Sequence, residues 1–368
     1  MIRNRQELED VCARLAHEGL VSLDTEFVWR NTNRPFLCLV QLGAVDGTSW
    51  TVDCLTGLDT APLAALIANP DVVKVLHDAH QDLDHLYHWT GAKPQNVFDT
   101  QLAAAFAGCP AKMSLQKLLF EVLDVGLPKT ETVTDWSQRP LTEAQVAYAL
   151  DDVRYLGALR TALLTKADAL GTRTWLDEEQ RAYDNPSLYG DADPDEIWKR
   201  VKCGRVRLDR RGYAILRALA AVRETTARDW NLPRTWLGKD ESLADMAAAA
   251  CTDPARLRFN HRLKNRGQRD LLAAAYVHAI RAACDLPEDD LPDDPHPRYI
   301  SAVLAAADEA MKFLREKGET IHVDPSVIAN RATVTAWIDN PLDDTNPLAQ
   351  GWRCEVVGRE IAEKFDVE

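Results

Sequence analysis

Residues 36–43 read FLCLVQLG, a near-continuous apolar run of strand length. Such a run marks a strand covered on both faces, so it belongs inside a layered sheet. Its neighbours fit that frame. LVSLDTEF at Leu20–Phe27 reads as a strand of mixed polarity, and SWTVDC at Ser49–Cys54 follows a turn at Asp46-Gly47. The spacing of the three suggests a meander joined by short turns. Val72–His77 and Asn96–Phe98 are further short strands. Ala61–Ala68, Gln81–Thr90, Thr100–Ala107, Ser114–Val122 and Thr142–Lys166 read as helices, with Asp59 or Thr60, Asp99 and Thr142 as caps. Strands alternating with helices define an α/β domain over the first 170 residues.

Two segments interrupt this pattern. DNPSLYGDADPD at Asp184–Asp195 and DLPEDDLPDDPHP at Asp285–Pro297 combine prolines with like charges, which oppose helix and sheet. They divide the chain into 1–183, 199–285 and 298–368. Both later parts read as helical, with apolar residues at helical spacing in Tyr213–Val222 and Leu271–Ala283.

Charge separates the parts further. The whole chain carries 43 basic and 57 acidic side chains, a net −14, which argues against a surface uniformly coated by nucleic acid. Residues 199–281, however, hold 19 basic and 8 acidic side chains, +11, while residues 1–170 stand at −8 and residues 298–368 at −5. A basic block between acidic ones is either a module that meets a polyanion or an Arg-rich solvated surface. Within it Arg258, Arg262, Arg266 and Arg269 recur at helical spacing, so some of them share a face if that stretch is helical.

No apolar run approaches the ~20 residues that span a bilayer, and the N-terminus lacks the apolar stretch of a signal peptide. None of the eight cysteines forms a C-x-x-C pair, as expected of buried thiols in a reducing compartment. These features imply a cytoplasmic chain with no membrane partner. Nothing in them demands a dimer, so a monomer is expected.

Three acidic features carry the chemistry. Asp24 and Glu26 stand at i and i+2 on the first strand, so both project from one face while Thr25 and Phe27 turn into packing. Two acids on an apolar strand are costly unless a cation compensates them or the strand is an edge facing water. Asp82 begins the helix after Val72–His77, where an acid also suits the helix dipole. Tyr148 and Asp152 lie at i and i+4 on a helix, one above the other, an arrangement able to position a water or simply an exposed face.

LDTEF at 23–27, HDAHQDL at 77–83 and YALDD at 148–152 resemble the three motifs of the DEDD exonuclease superfamily, in its Tyr-containing subclass. FDTQLAAAF at 98–106 and LPKTETVTDWSQRPLT at 127–142 narrow the resemblance to the ribonuclease D family. Leu208–Asp285 is similar to an HRDC domain, and Tyr299–Phe365, with GWRCE at 351–355, to the second HRDC-like module of that family. The resemblance implies an α/β ribonuclease-H-like exonuclease domain, a mixed sheet flanked by helices, followed by two all-α HRDC-like modules. It implies that Asp24, Glu26, Asp82 and Asp152 ligate two divalent ions, Mg²⁺ or Mn²⁺, and that Tyr148 orients the attacking water. It further implies a 3′→5′ exoribonuclease acting on RNA 3′ ends, tRNA precursors foremost, and releasing nucleoside 5′-monophosphates. A DNA exonuclease with the same acids, or an RNA-binding protein on a retired nuclease scaffold, are the alternatives. Asp78 and His80 depart from the small residues common in the second motif.

Several neighbours have two readings. His77, His80, His85 and His88 form two H-x-x-H spacings that allow zinc. Lys129 and Arg139 precede the third motif and either contact phosphate or are solvated. Phe27, Leu42 and Trp136 either touch a terminal base or pack. Asp99 is a cap or a ligand.

Overall fold

The structure is a computed structural model in which residues 1–127, 134–257, 259–295 and 298–365 are described. The chain forms two compact units. One comprises Met1–Val28, Leu37–Gly190 and Tyr299–Glu368, and the other Trp29–Phe36 and Asp191–Arg298. No helix among the described residues is long and apolar enough to cross a membrane.

The first unit is built on a five-stranded mixed sheet of order β3-β2-β1-β4-β5. Its strands are β1 (Leu20–Val28), β2 (Phe36–Gly43), β3 (Ser49–Asp53), β4 (Val73–Leu76) and β5 (Val97–Asp99). β2 and β3 pair antiparallel, with Val40 opposite Val52. β4 runs parallel to both β1 and β5. The apolar run of β2 is buried from Cys38 to Gly43, as a strand covered on both faces must be. β1 occupies the centre of the sheet, so its acids are not on an edge.

The helices of this part are α1 (Arg5–Glu18), α2 (Ala61–Ala68), α3 (His80–Thr90), α4 (Thr100–Phe106), α5 (Leu115–Leu123), α6 (Glu143–Arg154), α7 (Leu156–Leu170) and α8 (Arg173–Gln180). One core joins Leu8 and Leu15 of α1, Leu63 of α2 and Leu86 of α3 to Val21, Val40 and Leu42 of the sheet. Another joins Phe106 of α4 and Leu159 and Leu163 of α7 to Val75 and Phe98. The sequence reading has no helix at α1 or α8 and runs α6 and α7 together. Asn4 caps α1 by accepting the Glu7 N–H at 2.9 Å, and the single long helix is interrupted at Tyr155.

The second unit is helical, with α9 (Arg210–Asp229), α10 (Arg234–Leu237), α11 (Asp240–Ala248) and α12 (Arg266–Cys284). Leu216 and Leu219 of α9, Leu243 of α11 and Leu272, Tyr276 and Ile280 of α12 form its core. The buried Arg223 guanidinium donates to Asp240 at 2.8 Å and to the Gly238 carbonyl at 3.1 Å, so its charge is matched where it is desolvated.

The C-terminal segment, which returns to the first unit, contains α13 (Ser301–Ile321), α14 (Pro325–Ile328) and α15 (Arg331–Asp339). Its Leu314, Trp337, Trp352 and Ile361 share a core with Phe106, Leu163 and Leu176. Trp352 stacks on Trp175 at 5.5 Å and meets Phe106 edge-on at 5.4 Å. Glu179 of α8 accepts Trp352 Nε1 at 2.8 Å and Arg353 Nη2 at 2.8 Å. Residues 299–365 therefore share the core of the first unit.

Candidate active site

The site is assembled on β1 by the helix that crosses it. Strand alternation puts Asp24 and Glu26 on one face, and α6 packs on β1 and β3. Gly43 makes that approach possible: a Cβ there would meet the Val153 carbonyl oxygen at 2.8 Å. With α6 so close, the residue before Val153 reaches the strand acids. Carboxylate oxygens of Asp24, Glu26 and Asp152 lie within 4.8 Å of one another, and this is the one such grouping of metal-binding side chains among the described residues. Asp82, in the first turn of α3, falls outside that trio, and its Oδ1 accepts a hydrogen bond from the Thr25 hydroxyl. Its charge nonetheless reaches Asp24, where it is the largest of the neighbouring charges that raise the carboxyl.

All four acids are half-buried, and among the described residues no Lys, Arg or His forms an ion pair with any of them. Desolvation is the first cause of their perturbed acidity, and repulsion from neighbouring carboxylates adds to it, from within the group at Asp24 and Glu26 and from Asp78, Asp99 and Asp151 at Asp82 and Asp152. Asp24 is raised well above the ordinary range, by burial and then by Asp82, Asp152 and Glu26. Burial, then Asp152 and Asp82, push Glu26 up to about 8. Asp82 and Asp152 are each raised to about 7, again mainly by burial. A cluster of hard oxygen donors that repel one another fits a divalent cation, whose charge would reverse the sign of the local field.

Tyr148 sits one helical turn before Asp152, and the phenol and carboxylate interact directly. Burial, then the charges of Asp152, Glu26 and Asp24, raise the phenol above its ordinary value. The hydroxyl therefore keeps its proton across the neutral range. The Tyr148 ring lies 6.1 Å from that of Trp136, which is buried with Cys38, Leu39 and Ala149.

Other expectations divide. Asp99 caps α4 by accepting from the Gln101 N–H at 2.8 Å, and it also receives the Asp78 and Ala79 N–H groups and the Tyr183 hydroxyl. It thereby holds the turn that leads into α3, including Asp78 at φ 59°. The histidines do not converge on a zinc site. His77 uses Nδ1 on Thr100 and Nε2 on the Met113 carbonyl, both at 2.9 Å, while His88 faces Asp84 at 3.3 Å. Arg139 is neither solvated nor free for phosphate. It grips Asp53 at 2.6 and 2.9 Å and donates to the carbonyls of Cys38, Trp136 and Gln138. Leu42 is core. Thr25 is buried, as expected, but its hydroxyl serves Asp82 rather than packing alone. Neither Thr25, His85 nor Gly43 carries a sequence signal that separates it from an ordinary core residue.

Lys129 and Arg258 lie outside the described residues. Arg266 and Arg269 both lie on α12, three residues apart, and Arg262 does not. α12 starts at Arg266, capped by Asn265, so Arg262 lies in the turn before it. Arg262 is exposed, 6.0 Å from the Trp236 ring centroid, and Arg266 is exposed on the first turn of α12. Arg269 folds back, its Nε donating to the Leu263 carbonyl.

A family model described as 3′-5′ exonuclease matches residues 1–168. Sheet, acids and tyrosine thus belong to an exonuclease domain. Comparison over the full chain narrows this. Ribonuclease D of Desulfotalea psychrophila is 36% identical over 337 residues, covering 90% of this chain and 88% of its own length. Ribonuclease D of Gluconacetobacter diazotrophicus is 35% identical over 367 residues, covering 98% and 91%. The crystal structure of Escherichia coli RNase D, described as an exoribonuclease involved in structured RNA processing, matches with a TM-score of 0.85 at 27% identity, covering 100% of this chain and 99% of that one. The chain belongs to the ribonuclease D family and is a 3′→5′ exoribonuclease.

Proposed function

We propose that this exoribonuclease trims tRNA precursors from their 3′ ends by two-metal-ion hydrolysis and releases nucleoside 5′-monophosphates. The observation that supports the metal reading is the trio of Asp24, Glu26 and Asp152, whose oxygens lie within 4.8 Å and which no cation among the described residues pairs. In this reading the four acids would hold two Mg²⁺ or Mn²⁺ ions, with Asp24 serving both, Glu26 and Asp152 the first and Asp82 the second. When bound, such a pair activates water and stabilises the departing 3′-oxygen. Tyr148 orients the attacking water with a hydroxyl that stays protonated beside Asp152. The basic stretch 199–285, an HRDC-like module, holds the RNA body, because the acidic nuclease segment offers no net attraction for a polyanion. Exposed Arg262 and Arg266 suit that task, with Lys129, Arg258 and Arg269 as further contacts. The E. coli relative's described part in structured RNA processing favours a folded substrate with an accessible 3′ end.

The test gives purified protein a tRNA precursor and matched RNA and DNA oligonucleotides, with Mg²⁺ or Mn²⁺. Stepwise shortening of RNA from the 3′ end, with mononucleotide products, is expected. Asp24→Asn should fold normally and abolish cleavage. Retention of more than about a tenth of wild-type kcat, a loss under ~1.4 kcal/mol, overturns the metal assignment.

A further inference from the structure

The surroundings of Asp82 contain a hydrogen-bonded chain that no motif announces. Thr25 lies between Asp24 and Glu26 on β1 and is 5% exposed. Its hydroxyl touches two side chains, Asp82 through Oδ1 and His85 through Nδ1, the latter at 3.1 Å. His85 is 6% exposed and stands three residues after Asp82 on α3, within one helical turn. The Phe27 ring meets the imidazole edge-on at 4.4 Å, on the side of the strand that Thr25 also faces. Apolar contact there shields the pair from competing water.

Proton counting fixes the direction of this chain. A threonine hydroxyl has one proton, and an ionised carboxylate can only accept. With Asp82 ionised, as a cation ligand must be, the Thr25 proton goes to Asp82. Oγ1 is then an acceptor toward His85, so His85 presents Nδ1–H. The opposite order would aim the lone pairs of Thr25 at a negative oxygen. A β-branched side chain on a central strand has little χ1 freedom, so the hydroxyl cannot swing away from either partner.

We infer that Thr25 and His85 are positioning residues for Asp82. His85 Nδ1–H holds the Thr25 oxygen, and Thr25 in turn fixes the Asp82 carboxylate for its cation. This rests on the metal role proposed for Asp82. Hydrogen bonds that orient a metal ligand typically change affinity or activity about 10–100-fold when removed.

The experiment uses full-length protein and two readouts besides catalysis. Long-range ¹H–¹⁵N spectra with Mg²⁺ present should show neutral His85 protonated on Nδ1 and bare on Nε2. Calorimetric titration with Mn²⁺, without RNA, should show Thr25→Val weakening one binding event about 10–100-fold, with Thr25→Ser restoring it. His85→Asn, which keeps an N–H near the Nδ1 position, should lie close to wild type, and His85→Leu should follow Thr25→Val. A purely structural role would lower thermal stability and leave Mn²⁺ affinity alone. An Nε2–H tautomer, or wild-type Mn²⁺ affinity in Thr25→Val, overturns the inference. Asp82→Asn, titrated alongside, separates the two failures. If it binds Mn²⁺ like wild type, the metal role of Asp82 falls. If it loses affinity while Thr25→Val does not, only the positioning chain falls.

Discussion

In metal-free protein the ionised Glu26 works against folding, and Glu26→Gln measures how strongly. Burial, then the charges of Asp152 and Asp82, raise this carboxyl from 4.5 to about 8. In the unfolded chain it titrates near its ordinary value. Between the two values the unfolded state binds fewer protons than the native state, so stability falls as pH rises. The penalty is absent below about pH 4.5, grows across the window and is complete above about pH 8. At about 1.4 kcal/mol per pH unit, the full effect is of order 5 kcal/mol. Part of it is shared with Asp24, which feels the Glu26 charge, so a measured value of about 2–5 kcal/mol is expected.

Hydrogen exchange of the buried β1 amides from Val21 to Leu23 reports the local opening energy without mixing in the second unit. In EDTA, wild-type protection corrected for intrinsic rates should decline between pH 5 and 8.5, with Asp24, Asp82 and Asp152 contributing alongside Glu26. Glu26→Gln should decline less by about that amount, and should be the more stable protein at pH 8.5. Saturating Mg²⁺ should restore the wild type and have a smaller effect on the variant. Parallel pH profiles for the two proteins in EDTA would refute the reasoning, because Glu26 would then be no more perturbed folded than unfolded.

Three further outcomes are expected. Tyr148→Phe should lower kcat at least about tenfold, ~1.4 kcal/mol, with little change in KM, since a water-orienting contact matters in the transition state; an unchanged kcat in single-turnover kinetics shows that the phenol only packs. Arg139→Met should destabilise by about 3 kcal/mol in urea unfolding, because it leaves Asp53, which is 3% exposed, with the Leu55 N–H and the outlying Arg3 at 3.6 Å, while kcat per folded molecule holds. Arg262→Gln with Arg266→Gln, in the full chain, should flatten the dependence of log Kd on log salt by roughly 0.7–0.9 for each phosphate that the variant no longer neutralises; equal slopes mean these arginines only solvate the surface. The full chain is needed because Tyr299 onward shares the core of the nuclease unit, so truncation would strip that core.

Features with a local cause were legible in the sequence. The run at β2 is apolar because both faces are covered, and the Thr142–Gln145 capping box is formed as its spacing suggests. The acids on β1 stood out because charge is unusual on a central strand. What escaped has a distant cause. α1 fully buries Leu8, Cys12 and Leu15 among many charged residues, so its apolar stripe is narrow. Gly43 is one glycine in a strand until α6 is laid over it. Arg139 finds Asp53 across 86 residues, and Thr25 finds Asp82 across 57. The helical spacing of Arg262 and Arg266 was misleading, because Asn265 starts a helix between them. Pairings of this kind depend on topology, which periodicity does not encode.

The carboxylates of the nuclease unit also sort by what the protein gives them. Asp53 is buried, which raises its carboxyl, yet its bonds to Arg139 and the Leu55 N–H, with the charge of Arg3, together outweigh burial and hold it below the ordinary range. Asp99 is 4% exposed and collects backbone N–H groups from both ends of a turn together with the Tyr183 hydroxyl. Each is satisfied internally, and each holds architecture in place. Asp24 and Glu26 on the same sheet, and Asp152 on α6 above it, are desolvated without such matching among the described residues, and what they receive is one backbone hydrogen bond from Thr25 at Asp24 and the Tyr148 phenol at Asp152. A fold that can supply Arg139 to Asp53 has the means to neutralise an acid. Three acids without a matching cation among the described residues concentrate negative charge at one point, which a cation from outside would complete. The same lack of compensation that lowers the stability of β1 in EDTA is what gives the site its affinity for divalent metal.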